Sequence, residues 1–147
     1  MDKKSVMLIV DDVEINRGIL TQFFKNDYVI IEAVNGKAAL DVIEKQPVDI
    51  ILLDLVMPVM DGFELLSLLK KNEKYVDIPV IATTARNEGD IEVRAMEMGA
   101  ADFITKPYNP TIVRCRIRNV MARLENERRK IEQAAHDGHI LEMRDYM

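Results

Sequence analysis

Five residues carry side chains suited to binding a phosphate and a cation together: Asp11, Asp12, Asp54, Thr84 and Lys106. Asp11 and Asp12 follow the apolar run Val6-Met7-Leu8-Ile9-Val10, and Asp54 closes the run Ile50-Ile51-Leu52-Leu53. If those runs are neighbouring parallel strands, all three carboxylates meet at the carboxyl edge of the sheet, where open α/β folds place their sites. Three carboxylates so close repel one another and raise at least one pKa unless a cation shares their charge. Oxygen donors without histidine or cysteine favour a hard cation, and few protein ligands plus waters and a phosphate suit Mg²⁺. Thr83-Thr84-Ala85 and Thr105-Lys106-Pro107 close two further apolar runs. They add a hydroxyl donor and an ammonium, which is what an incoming phosphoryl group requires. Asp54 can then act as the nucleophile and form an aspartyl phosphate.

The elements that must hold these residues are legible as a rhythm. Between residues 5 and 106, strand-length apolar runs at Ser5–Val10, Tyr28–Ala33, Val48–Asp54, Pro79–Thr84 and Asp102–Thr105 alternate with helix-length amphipathic segments. That alternation predicts an α/β fold, a parallel five-stranded sheet with helices on both faces. Continuous Val/Ile/Leu runs in the first, third and fourth strands suit burial on both faces. Ile15, Ile19, Leu20 and Phe23 share one helical face, as do Ala39, Leu40 and Ile43, and Leu65, Leu66 and Leu69; these stripes are assigned to the core. Asn35-Gly36, Asp61-Gly62 and Gly99 sit where helix caps and turns are required.

Pro110 opens a run of nearly forty residues without another proline, which predicts one long last helix. Val113, Ile117, Val120, Leu124, Glu127, Ile131, Ala134, Gly138 and Leu141 alternate in four- and three-residue steps, the seam of a two-stranded coiled coil. Glu127 weakens the seam, and Gly138 predicts a break or frayed end. The chain is accordingly divided into a domain over 1–122 and a helical extension over 123–147, a linker or coiled coil toward a further output domain.

Composition narrows the classes. The 147 residues are 48% hydrophobic and 31% charged, the balance of one soluble domain. No apolar stretch approaches the ~20 residues that span a bilayer, and the N-terminus lacks a secretory pattern, so a cytoplasmic location is expected. Cys115 is the single cysteine; it excludes an internal disulfide and is assigned to helix packing. Residues 1–109 carry 12 Lys/Arg against 19 Asp/Glu, a balance of −7, whereas residues 110–147 carry 8 against 6. The acidic part argues against direct nucleic-acid binding. The basic stretch Arg114–Lys130 reads as a solvated helix face. His136-Asp137 lacks the two-helix setting that a phosphoacceptor histidine needs.

Taken together, Val10-Asp11-Asp12, Leu53-Asp54-Leu55-Val56-Met57-Pro58-Val59-Met60-Asp61-Gly62, Thr83-Thr84-Ala85, Gly99-Ala100-Ala101-Asp102-Phe103 and Lys106-Pro107-Tyr108 resemble the receiver domain of two-component response regulators over about residues 5–122. The resemblance implies a flavodoxin-like sheet of order 2-1-3-4-5. It makes Asp54 the phosphoacceptor and Asp12 the direct Mg²⁺ ligand, with Asp11 assisting and the Val56 backbone carbonyl as a further ligand. Lys106 becomes the phosphate's ion-pair partner, across a cis bond to Pro107. Thr84 and Phe103 become the switch pair. Asp61 is assigned a capping role, and Thr83, turned away from Thr84 by strand alternation, a structural one.

The implied partners are a sensor histidine kinase or phosphotransfer protein, and a second copy of the chain through the fourth-helix, fifth-strand and fifth-helix face or the C-terminal helix. No turnover of a separate substrate is expected. A Mg²⁺-dependent phosphohydrolase similar to the haloacid-dehalogenase phosphatases is the alternative, but it needs an acid/base two residues after the nucleophile, where this chain has Val56. A dimerisation module independent of phosphorylation is the third reading. Val56 and Arg86 lie where the receiver family varies the path of hydrolytic water, which predicts a persistent phosphoryl state.

Overall fold

The computed structural model describes residues 3–57, 59–85 and 89–145, the last eight of these by their backbone. Arg86 and Pro58 therefore lie outside the described residues, as does the side chain of Leu141. Strands β1 (Ser5–Val10), β2 (Tyr28–Ala33), β3 (Ile50–Asp54), β4 (Val80–Ala85) and β5 (Asp102–Lys106) alternate with helices α1 (Glu14–Phe24), α2 (Gly36–Lys45), α3 (Gly62–Lys70), α4 (Gly89–Glu97) and α5 (Pro110–Asp145). All strand pairs are parallel, in the order β2-β1-β3-β4-β5. The five expected strands are all present, with ends shifted by two residues or fewer: β3 starts at Ile50, and β4 and β5 extend to Ala85 and Lys106.

Alternation along buried strands splits the core in two. Met7, Ile9, Ile50, Leu52, Ile81 and Ile104 face α1 and α5, where Leu20, Phe24, Val113, Ile117 and Val120 cover them. Leu8, Val10, Ile51, Leu53, Val80 and Ala82 face the opposite way, against Ala39 and Ile43 of α2, Leu65, Leu66 and Leu69 of α3, and Ala95 of α4. The central strand β3 is buried along its whole length, so its carboxylate end is held by packing on both faces.

Two sequence expectations are corrected here. Ile15 and Ile19 are not core: they are 74% and 39% exposed, and Leu20 and Phe24 face the sheet instead. Adjacent apolar residues leave the phase of an amphipathic helix open by one position, about 100°, and the larger Leu20/Phe24 pair meets the sheet. Cys115 does not pack in the core; it is exposed on α5. The other stripes are confirmed, with Ala39, Ile43, Leu65, Leu66 and Leu69 buried and Leu40 packed against them.

Helix ends follow local chemistry. The Asn35 side chain accepts from the Ala38 N–H at 2.8 Å, and Asp61 accepts from the Glu64 N–H at 2.8 Å, the side-chain capping that short polar residues supply. Gly99 follows α4 at φ 101°, a conformation that favours glycine. Helix α5 passes Gly138 without a break, contrary to expectation. Its coiled-coil stripe divides: Val113, Ile117 and Val120 are consumed by the domain's own core, and Ile131 is 70% exposed. Among the described residues no helix is long and apolar enough to cross a membrane.

Candidate phosphoacceptor site

The carboxyl ends of β1, β3, β4 and β5 bring together the residues singled out by type and spacing. Carboxylate oxygens of Asp11, Asp12 and Asp54 lie within 4.8 Å of one another. Asp11 and Asp54 are buried, and Asp12 is exposed on the solvent side. Asp54 registers with Thr83 across β3 and β4, which places both on the α1/α5 side of the sheet. Lys106, at the end of β5, reaches over: its Nζ stands 3.4 Å from Asp11 Oδ2 and 3.4 Å from Asp54 Oδ2. A pocket of about 310 Å³ is lined by Asp12, Val13, Asp54, Leu55, Val56, Thr84, Ala85 and Lys106.

Electrostatics mark Asp54 out. Burial pushes its pKa up to about 6; the Lys106 ammonium opposes this, Asp11 adds to it, and the Val56 N–H, which donates to Asp54 Oδ1 at 3.2 Å, works against it. Burial of a carboxylate without enough positive charge has this effect. Lys106 alone does not neutralise the cluster. Asp11 Oδ2 is buried with no hydrogen bond among the described residues, and the Lys106 ammonium stands 3.4 Å from it. A cation bound among the three carboxylates would satisfy that oxygen, so an oxygen-ligated divalent ion fits the donor set.

The loops carrying these groups are fixed from several sides. Asp11 Oδ1 accepts from the Val13 N–H at 2.8 Å, and the Arg17 guanidinium donates to the Asp11 carbonyl at 2.9 Å and to Glu32 Oε1 at 3.1 Å. Arg17 was not anticipated; an arginine in a helix seven residues after a strand carries no motif. Beyond β3, the Gly62 N–H donates to the Leu55 carbonyl at 3.1 Å, closing the loop that follows Asp54. Val59 within it adopts φ 72° and is 79% exposed, strained backbone for a β-branched residue.

Thr84 sits in the pocket wall, but its hydroxyl points toward α4 and donates to Glu92 Oε1 at 3.4 Å. Thr83, as expected, turns the other way. Its buried hydroxyl lies near that of Tyr108, though among the described residues neither has a partner in full hydrogen-bond geometry. Burial raises the Tyr108 pKa, the Thr83 hydroxyl lowers it, and the charges of Asp11 and Asp54 add to the rise. Phe103 is partly buried on the α2–α4 side of the sheet. The Arg116 guanidinium lies 5.3 Å from its ring centroid and pairs with Asp102 at 3.0 Å. The Lys106-Pro107 bond is cis.

The response regulator receiver domain family matches residues 7–118. The chain belongs to this family. Relatives include PhoB, the phosphate regulon transcriptional regulatory protein of Pseudomonas aeruginosa, 37% identical over 82% of this chain and 52% of that protein. The receiver domain is also 36% identical to part of histidine kinase P4 of Formosa agariphila, over 91% of this chain and 10% of that protein. Among solved structures, the chemotaxis protein CheY4 of Vibrio cholerae superposes with a TM-score of 0.75 at 26% identity, covering 80% of this chain and 99% of that one. NtrX from Brucella abortus shares the fold, with a TM-score of 0.83 at 22% identity over 88% of this chain and 29% of that one. The chain spans about half or less of the length of the curated relatives first matched, from 10% to 52%. It is thus a receiver domain homologous to those of PhoB and CheY-type response regulators, with a long last helix.

Proposed function

We propose that Asp54 is the phosphoacceptor of this receiver domain, taking a phosphoryl group from a phosphohistidine on a sensor kinase or phosphotransfer protein. The observation that carries this reading is the position of Lys106 Nζ, 3.4 Å from both Asp11 and Asp54 at the mouth of a cluster of three carboxylates. A nucleophilic carboxylate attacks a phosphoryl group only if the negative charge gathering around it is balanced. Lys106 meets the transferred group as an ion-pair partner, and its contact with Asp11 keeps the ammonium aimed inward. Asp12, Asp11, Asp54 and the Val56 backbone carbonyl would hold Mg²⁺, which when bound neutralises charge on the phosphoryl oxygens. The Val56 N–H, already on Asp54 Oδ1, fixes the carboxylate so that its other oxygen attacks.

The phosphoryl group adds about −1.5 to −2 charges at neutral pH. Thr84 would turn its hydroxyl from α4 to the new oxygens, and Phe103 would turn inward beside it. The output surface is then α4, β5 and the start of α5, where Val93, Met96 and Ile112 are 57%, 43% and 49% exposed. Domain limits of 1–122 for the receiver and 123–147 for the extension fit the change at Leu124, where the α5 stripe leaves the core. A homodimer through this surface or through the extension, working in the cytoplasm and acting on an output beyond the receiver, completes the reading.

Beryllofluoride with Mg²⁺, a stable mimic of the aspartyl phosphate, tests the coupling. Sedimentation of the whole chain is expected to show dimers whose population rises with the mimic. A chain ending at Ala122 is expected to bind the mimic but to dimerise less. Association that is identical with and without beryllofluoride in both chains would instead indicate a dimerisation module that phosphorylation does not control.

A further inference from the structure

We infer that Glu92 of α4 holds the Thr84 hydroxyl away from the phosphoryl site, so that phosphorylation must break this tie to act; the inference rests on Asp54 being the phosphoacceptor. Thr84 is 3% exposed, and its Oγ1 donates to Glu92 Oε1 at 3.4 Å across the gap between β4 and α4. A threonine hydroxyl has one proton. Carboxylate and phosphoryl oxygens both only accept, so Thr84 serves one or the other. Thr84 also lines the pocket that holds Asp54 and Lys106, so its residue borders both acceptors.

The competition has a direction built into it. Once Thr84 turns to the phosphoryl group, the Glu92 carboxylate has lost the Thr84 donor and stands behind a site that has just gained negative charge. Repulsion then favours displacement of α4. Helix α4 is suited to yield. Only Ala95 of it is fully buried, so little packing resists a shift, in contrast to α3 with Gly62, Phe63, Leu65, Leu66 and Leu69 buried. Glu92 therefore acts as a positioning residue: it restrains Thr84 before phosphorylation and releases α4 afterwards.

A second role for Glu92 is simpler. With Asp90 it lies in the first turn of α4, where acidic side chains favour the helix dipole. That role is independent of Thr84, and a double-mutant cycle separates the two. Calorimetric titration with beryllofluoride and Mg²⁺ is expected to give Glu92→Ala about fivefold tighter binding than wild type, a modest value for a charge-assisted bond of this length. Glu92→Gln, whose amide oxygen still accepts, is expected to fall between. In a Thr84→Val background, the gain from Glu92→Ala is expected to shrink to what the loss of the Glu92 charge supplies by itself. Equal affinities of wild type and Glu92→Ala, or a gain that persists undiminished in Thr84→Val, overturns the inference.

Hydrogen exchange of the metal-free, unphosphorylated chain supplies an independent measurement. Thr84→Val and Glu92→Ala are each expected to speed exchange in α4, with the double variant faster by less than the sum of the singles; fully additive effects, or no effect, overturn the tie. If wild type itself does not bind beryllofluoride, the phosphoacceptor reading fails, and exchange alone decides the tie.

Discussion

Asp54→Asn protein, incubated with Mg²⁺ and a small phosphodonor such as an acyl phosphate, is expected to gain no hydroxylamine-sensitive phosphate while remaining folded. An amide has no anionic oxygen to attack phosphorus, and no other carboxylate replaces it: Asp11 already engages the Val13 N–H and Lys106, and Asp12 is turned toward solvent. Label retained at wild-type level in the variant would remove Asp54 from the mechanism.

The same substitution has a thermodynamic signature in chelator. Asp54 has a pKa raised to about 6 in the folded chain, against 3.8 for the free side chain. Between those values the folded state holds a proton that the unfolded state has lost, so stability falls as pH rises through this window and levels off above it. The span corresponds to a few kcal/mol at most, on the order of 3. The amide that replaces the carboxyl in Asp54→Asn has no such proton to lose. The variant is expected to be more stable than wild type at pH 7 by about 1–3 kcal/mol, with the difference vanishing below about pH 4. Urea unfolding at the two pH values measures it, and a variant less stable than wild type at pH 7 contradicts the assigned electrostatics. Saturating Mg²⁺ is expected to shrink the difference, since a bound cation stabilises the ionised carboxylate.

Gly62→Ala is expected to be the most damaging conservative change in the loop after β3. A Cβ at Gly62 would collide with the Asp54 carbonyl oxygen and would stand 2.5 Å from Leu55 Cα. Both are backbone atoms of a buried strand end, so no side chain can swing aside. Either α3 lifts, opening the layer formed by Phe63, Leu65, Leu66 and Leu69, or the end of β3 moves and takes Asp54 with it. Overpacking of this kind costs about 1–3 kcal/mol and sometimes more, and here the upper part of that range is expected. Phosphoryl acceptance is expected to fall with it, because Asp54 and its contact with the Val56 N–H are displaced together. Gly18→Ala is the control: it lies within α1 with nothing inside 4 Å of the added carbon, and alanine in a helix is favoured by about 0.5–1 kcal/mol. Equal urea midpoints for Gly62→Ala and wild type would show that the close approach is not enforced.

The order of strands and helices was legible because buried parallel strands read as unbroken apolar runs and their covering helices as stripes. The site was legible for a related reason: strand ends in such a sheet collect at one edge, so Asp11, Asp12, Asp54, Thr84 and Lys106 could be assembled without knowing any distance. Caps at Asn35 and Asp61 were readable because their chemistry is local. The exposure of Ile15 beside a buried Leu20 was not, since both satisfy a helical period and only contact with the sheet chooses the face. Nor could the continuity of α5 past Gly138 be inferred, because a glycine lowers helix propensity by about 1 kcal/mol without forbidding the helix.

By itself the sequence determined which residues could carry phosphoryl chemistry, since charge, hydroxyl and ammonium are properties of residue type, and their spacing relative to apolar runs places them at one edge. The tertiary structure decided how those residues are arranged and what each one touches. Lys106 bridges Asp11 and Asp54, burial raises Asp54, Gly62 presses on its backbone, and Thr84 is turned to Glu92 across a gap between elements. Each of these depends on distances between segments far apart in the chain, and such distances arise only when both faces of the sheet are packed.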